Sequence, residues 1–223
     1  MFRLTPTSLY ICGAPGIGKS HLLMYLVRLL NARLYKFTNF HSIVFARTVT
    51  TEHWDGYINQ PIVIFDDHYK MIDGEQEIDA REVMNVVSCT NYYPSFAVLN
   101  NKGTPFNSHF LIITSNTGWP LTIYIPEALH RRHKLHVIVL KNNKPMDDVF
   151  SHLDLYIAYA PINLWRGNYS TPFSCNHDIP FDYDEWLLFP FKHLYRKVSI
   201  VDLIDLLIID HNRESKIFNL LNK

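Results

Sequence analysis

From Met1 to about Lys141 the chain alternates short apolar runs, rich in β-branched residues, with longer helical or loop stretches. The apolar runs predict strands at Leu9–Gly13, Ile43–Arg47, Ile62–Phe65, Phe110–Thr114 and Leu135–Leu140. Helical patterns are predicted over Lys19–Asn31, Asp79–Cys89 and Pro126–Arg131. In the first of these, Leu22, Leu23, Leu26, Leu29 and Leu30 recur on one face. Such alternation implies an α/β fold, a mostly parallel sheet covered by helices. Ligands of such sheets lie beyond the carboxyl ends of the strands, where Gly13, Asp66 and Asn116 fall.

After Lys141 the pattern changes. Asn142–Asp148 is a turn-rich break, and the stretch from Ala160 to Trp186 is crowded with Pro, Asn and aromatic residues and reads as irregular. Val198–Leu221 is helical in pattern, with Asp202, Asp205 and Asp210 as a narrow polar stripe. The expected organisation is a core over 1–141 and a C-terminal extension over 142–223, irregular at first and ending in an amphipathic helix.

Composition narrows the function little. The 223 residues are 48% hydrophobic, enough for one ordinary domain with a full core, and the formal net charge is zero. Any nucleic-acid contact must then be a local basic patch. Twelve histidines make the charge balance sensitive to mild acid. Cys12, Cys89 and Cys175 are odd in number and far apart, which argues against a disulfide framework. Cys175 with His177 offers too few ligands for zinc. Met1 runs straight into the first strand, so no cleavable leader is expected, and no apolar run approaches membrane-spanning length.

The chemistry concentrates at the predicted strand ends. "GAPGIGKS", Gly13–Ser20, fits G-x-x-x-x-G-K-[ST] between a strand and a helix, the context a phosphate-binding loop requires. Glycines let backbone N–H groups turn toward phosphate oxygens, and the helix start adds partial positive charge. Gly13, Ala14, Pro15, Gly16, Ile17, Gly18, Lys19, Ser20 and His21 are the expected nucleotide contacts. Lys19 would reach the outer phosphates and the Ser20 hydroxyl would hold Mg²⁺. "IVIFDD" ends a strand in two carboxylates; Asp66 suits the metal and Asp67 suits the base that activates water. "FLIITSN" ends in Asn116, an amide able to orient that water. From spacing alone, adjacent Arg131 and Arg132 read as a solvated helix end ahead of the alternative, cations aimed at a γ-phosphate. His130, His133 and His136 lie among lysine and arginine and are expected at the surface or near phosphate rather than on a metal.

Together these pieces resemble a superfamily 3 helicase of the AAA+ group, in particular the replication ATPase of picorna-like viruses. The matching segments, in order, are "GAPGIGKS", "HWDGYINQPIVIFDD", "VVSCTNYYPSFAVLNNKGTPFNSHFLIITSN" and "PEALHRRHKLHV". The resemblance covers about Leu9 to Val139. It implies an AAA+ P-loop fold, ATP with Mg²⁺, a homo-oligomeric ring, most simply a hexamer, and a helicase or RNA-remodelling motor acting on single-stranded RNA beside other viral replication proteins. It assigns Asp66 and Asp67 as the acidic pair and Asn116 as the sensor. Arg131 and Arg132 become fingers for the next subunit's nucleotide, and Lys102 becomes the pore-facing nucleic-acid contact. It implies a host-cytoplasmic setting on replication membranes, with membrane contact through an N-terminal region expected to be absent from this chain. Some relatives carry a cysteine-rich zinc site that three scattered cysteines cannot rebuild. The C-terminal helix is expected either to dock on its own core or to insert into a neighbour through Phe218, Leu220 and Leu221.

Three other readings share features. The replication helicase of small circular DNA viruses has a similar loop, Trp-Asp-Gly-Tyr box and sensor, but its nicking domain is missing here. A small nucleotide kinase would need an acceptor and an arginine-rich lid, which the sequence does not show. A nucleotide-gated scaffold or RNA chaperone would keep its activity after Asp67→Asn.

Overall fold

The computed structural model describes residues 2–47, 51–69, 75–116, 118, 128–129, 131–142, 144, 150–159, 182–188 and 192–222. Among them the order is β1 (Thr7–Gly13), α1 (Lys19–Leu30), β2 (Val44–Arg47), β3 (Ile62–Phe65), α2 (Glu75–Val86), β4 (Phe110–Ser115), β5 (Leu135–Lys141), β6 (Leu153–Tyr159), α3 (Tyr183–Leu188), β7 (Arg196–Val198) and α4 (Ile200–Leu221). The seven strands form one sheet in the order β2-β3-β4-β1-β5-β6-β7. The five strands from β2 to β5 in that order run parallel. β6 and β7 are antiparallel additions. This is the α/β arrangement of a P-loop NTPase.

The apolar runs are strands because both sheet faces are covered. Every residue of β1, β3 and β4 is buried, as doubly covered parallel strands require. Side chains alternate between faces. Leu9 and Ile11 meet Leu22, Leu26 and Leu30 of α1 and Leu203, Ile204 and Leu207 of α4. Tyr10 and Cys12 point the other way, into a layer with Val83 and Val86 of α2 and an aromatic group around Trp54, Tyr57, Phe65 and Phe106. Burying each such large side chain contributes about 1.5–3 kcal/mol. α4 opens with a capping box in which Ser199 and Asp202 satisfy each other's backbone N–H groups.

An ionic cluster anchors α4 to the sheet. Thr7 Oγ1 donates to Asp210 Oδ2 at 3.0 Å. Lys134 Nζ lies 2.8 Å from Glu214 Oε1 and 3.7 Å from Asp210 Oδ2, and Arg213 also pairs with Asp210. Asp210 is nearly inaccessible, so it needs these partners to remain charged.

Three expectations need correction. Irregular structure after Lys141 gives way at Leu153–Tyr159 to a strand that pairs with β5 over its whole length. The extension therefore contributes to the same sheet as the core. The strand escapes detection because Asp154 interrupts its apolar run; Lys197 pairs with that carboxylate and Asn142 donates a hydrogen bond to it, both from outside the strand. His133 and His136 are not at the surface. Both are fully buried against Tyr10, His133 tilted at a ring-centroid distance of 4.6 Å and His136 stacked at 5.1 Å, with Tyr69 and Tyr195 hydroxyls at 3.2 Å. α2 lies earlier than expected, ending at Val86 rather than Cys89. Of the expected helix Pro126–Arg131, Ala128 and Leu129 are helical. The rest apart from Arg131, together with His130, Cys175, His177 and residues 160–181, lies outside the described residues. No helix among the described residues is long and apolar enough to cross a membrane.

Candidate functional site

Three strands deliver the site. β1 ends at Gly13, where a Cβ would stand 2.9 Å from the Val139 carbonyl oxygen of β5. Only glycine allows the loop to leave the sheet there. The loop then passes Ala14–Ile17 and reaches Gly18, which precedes α1 at φ 105°, a left-handed conformation that glycine adopts freely. Lys19, Ser20 and His21 form the first turn of α1. β3 ends at Phe65 and hands over to Asp66 and Asp67; Asp67 takes a left-handed φ of 53°. β4 ends at Ser115, followed by Asn116. Because β3, β4 and β1 are adjacent and parallel, their exits meet at one edge of the sheet.

A cavity of about 370 Å³ sits at that edge, lined by Pro15, Gly16, Gly18–His21, Asp66, Asp67, Thr114 and Asn116. Its polar groups form one chain. Lys19 Nζ donates to the Gly13 and Ala14 carbonyls at 2.8 and 2.9 Å and to Asn116 Oδ1 at 2.7 Å. Asn116 Nδ2 donates to Asp67 Oδ1 at 2.8 Å. The amide oxygen and nitrogen of Asn116 are thus fixed by their partners. Thr114, a buried residue that the sequence reading took only as the end of a strand, uses one hydroxyl twice. It donates to Asp66 Oδ1 and accepts from the Asp67 N–H at 2.9 Å. The His68 N–H completes the link by donating to the Thr114 carbonyl at 2.8 Å.

Burial lowers the pKa of Lys19 from its ordinary value, against the opposing influence of Cys12, Asp67 and Asp66. An incoming phosphate would supply the negative charge that burial makes the ammonium need. The residues fit such a ligand. The loop has no side chains over Gly16 and Gly18, and the lysine rests on neutral carbonyl and amide acceptors. Two carboxylates face one ammonium, an excess of negative charge suited to a divalent cation. Ser20 and Asp66 are exposed at the cavity rim, where oxygen ligands are reachable. The described residues hold no cluster of three or more His, Cys, Asp or Glu side chains able to hold a metal alone. A cation here would therefore share its coordination with phosphate and water, as Mg²⁺ does.

The structure brings together Gly13–His21, Asp66, Asp67 and Asn116. It does not bring Arg131, Arg132 or Lys102 to them. The arginines lie at the entry edge of the sheet, with the Arg132 carbonyl accepting from the Ser8 hydroxyl at the start of β1. Five residues separate Ser8 from Gly13, about 16 Å of strand. The two arginines also differ. Arg131 is exposed. The Arg132 guanidinium is half-buried and donates to the Met84 carbonyl at 3.0 Å and the Ala128 carbonyl at 2.7 Å. Lys102 is exposed just past a short 3₁₀ turn, Leu99–Asn101, on a loop that also exposes Val98 and Leu99. That loop is tied to the Trp-Asp-Gly-Tyr box: Trp54 N–H donates to the Ser95 carbonyl, and Ala97 N–H to Asp55 Oδ1.

Residues 9–117 match the family described as RNA helicase. The genome polyprotein of Cosavirus A is 30% identical over 216 residues, covering 95% of this chain and 10% of the polyprotein. That of human rhinovirus 1A is 33% identical over 186 residues, covering 80% of the chain and 8% of the polyprotein. That of avian encephalomyelitis virus (strain Van Reokel) is 32% identical over 164 residues, 72% of the chain and 7% of the polyprotein. The chain thus spans a tenth or less of the length of these curated relatives. With the loop, the acidic pair and the sensor amide converging on one cavity, the chain belongs to the RNA helicase family, the superfamily 3 viral helicases of picorna-like viruses.

Proposed function

We propose that the chain hydrolyses ATP and is the motor core of a ring-shaped helicase or RNA-remodelling machine in viral RNA replication. The observation that carries this reading is the single hydrogen-bonded chain Lys19–Asn116–Asp67 at the mouth of three parallel strands. Phosphates would lie on the loop Gly13–Ser20 with Lys19 against the outer ones. Ser20 and Asp66 would hold Mg²⁺, which when bound neutralises charge on the phosphate oxygens. Asp67 would take the proton of the attacking water, and Asn116, braced by Lys19, would keep that carboxylate and the water in line.

The arginines support a shared site. From the opposite end of the sheet neither can reach the cavity of its own chain. A second copy would then supply the cation that stabilises γ-phosphate charge, and the contact repeated head to tail would close a ring. Lys102, exposed just past the Leu99–Asn101 turn, would contact a phosphate of single-stranded RNA. Contact with other replication proteins and with host membranes would then belong to the larger polyprotein product.

The test is steady-state phosphate release across protein concentration, with and without single-stranded RNA. Turnover per subunit should rise with concentration. Lys19→Ala should abolish it, and Asp67→Asn should bind ATP without turning it over. Arg131→Ala mixed with Asp67→Asn protein should recover part of the activity. Undiminished turnover in Lys19→Ala would remove the reading altogether.

A further inference from the structure

The acidic corner after β3 has an unusual backbone. Asp67 and Tyr69 both take left-handed φ angles, 53° and 58°. A side chain as bulky as tyrosine keeps that conformation only where its surroundings hold it. His68, between them, is fastened to β4 on both sides: its N–H donates to the Thr114 carbonyl at 2.8 Å, and its carbonyl accepts from the Ser115 hydroxyl at 2.7 Å. The corner thereby turns Asp67 toward the phosphate cavity and sends Tyr69 into the buried aromatic layer on the α2 side of the sheet.

The arginine-bearing turn approaches from the opposite end. Arg131 is exposed on a turn whose two ends, Leu129 and His133, are buried. The Arg132 and His133 N–H groups both donate to the Leu129 carbonyl, at 2.8 and 3.1 Å, which closes the turn. The His133 ring lies against Tyr10, midway along β1, and there its Nε2 shares a hydrogen bond of 3.2 Å with the Tyr69 hydroxyl. The two rings stand edge to face at 90°, with centroids 6.0 Å apart. Asp67 and Arg131 thus each lie two positions from one end of the same buried contact.

We propose that Tyr69 is a positioning residue for the cation that a subunit lends: through His133 it sets the direction of Arg131 from the corner that carries Asp67. The proposal rests on the reading of Asp67 as base and of Arg131 as a cation acting on the next subunit's nucleotide. A close-packed interior transmits displacement rather than absorbing it. An apolar ring would fill the space beneath β1 as well as tyrosine does. The hydroxyl adds a directional link between the corner and the turn.

The test is complementation of phosphate release between variants mixed in equal amounts at fixed total concentration. Tyr69→Phe removes the hydroxyl and keeps the ring. Alone, it should bind ATP with a Kd within about twofold of wild type and lose about tenfold to a hundredfold in turnover, because the phosphate loop is untouched while the lent cation is misplaced. Mixed with Asp67→Asn, which has a sound Arg131 and an inactive site, it should exceed the mean of the two proteins measured apart. Mixed with Arg131→Ala it should not, because neither protein then offers a well-aimed cation. His133→Leu removes the same bond from its other end and should give the same pattern. His133→Gln, which keeps a polar partner for the hydroxyl, should retain more turnover than the leucine variant. Wild-type turnover in Tyr69→Phe or in His133→Leu overturns the proposal. Recovery with Arg131→Ala overturns it too, by placing the effect in the subunit's own site, and recovery of both variants with neither partner overturns it by marking a general loss of structure. Arg131→Ala mixed with Asp67→Asn is the control. No recovery there removes the shared-site reading and this proposal with it; recovery there beside any of the other failures removes this proposal alone.

Discussion

Replacing Thr114 by valine isolates one hydroxyl. Valine keeps the branched shape that suits a buried strand end, so the loss is that of two hydrogen bonds: the donation to Asp66 and the acceptance from the Asp67 N–H. A bond to a charged acceptor contributes about 1.5–3 kcal/mol and a neutral one about 0.5–1.5. Asp66 is exposed and recovers water, which discounts the first term heavily. The stability cost should then be about 1–2 kcal/mol, a fall in Tm of roughly 2–8 °C for a chain of this size. Activity should suffer more. The hydroxyl fixes the turn that aims both carboxylates, and a misplacement of about 1 Å in a reacting geometry costs on the order of a hundredfold. The assay is phosphate release with thermal unfolding measured on the same preparations. Thr114→Ser, which retains the hydroxyl, should recover most of kcat. Wild-type kcat in Thr114→Val, or equal damage in the serine variant, would refute the account.

The arginine pair should separate in a similar way: Arg132→Ala is expected to lower Tm because two carbonyls lose their donor, whereas Arg131→Ala is expected to lower concentration-dependent turnover by at least about 10³-fold with Tm unchanged. A Tm loss in Arg131→Ala equal to that in Arg132→Ala would erase the distinction. Acid should destabilise the fold before carboxylates titrate, because burial lowers the pKa of His68 to about 3 and that of His211 to about 4. Both pKa values lie below the unfolded value near 6.5, so the stability they contribute is complete above that pH and is lost as pH falls toward the folded values. By pH 5 the stability lost through His68 alone is about 2 kcal/mol, roughly 4–8 °C in Tm. A Tm that is flat from pH 7 to 5 would contradict the burial of these rings.

What was legible in the sequence was whatever depends on neighbours along the chain. Ile62–Phe65 is an uninterrupted apolar run because both its faces are covered, and the structure gives it the same bounds. Gly13 to Ser20 could be read because the turn needs glycine locally, whatever lies elsewhere. What stayed hidden depends on residues far away. "HRRHKLH" looks like a solvated basic stretch, yet two of its imidazoles are core residues because Tyr10, more than a hundred positions earlier, packs against both. Asp154 looks like a break in a strand until Lys197 arrives beside it. Thr114 looks like an ordinary strand end until the Asp66–Asp67 corner folds over its hydroxyl.

The salt links of Lys134 to Asp210 and Glu214 have a mechanical meaning. Lys134 sits three positions beyond Arg131, in the segment whose backbone Ser8 also grips. The last helix and the arginine-bearing corner are thereby riveted into one lever, with the first strand as its fulcrum. In the proposed ring, whatever seizes the tail of one subunit would also aim the cation that subunit offers to the next.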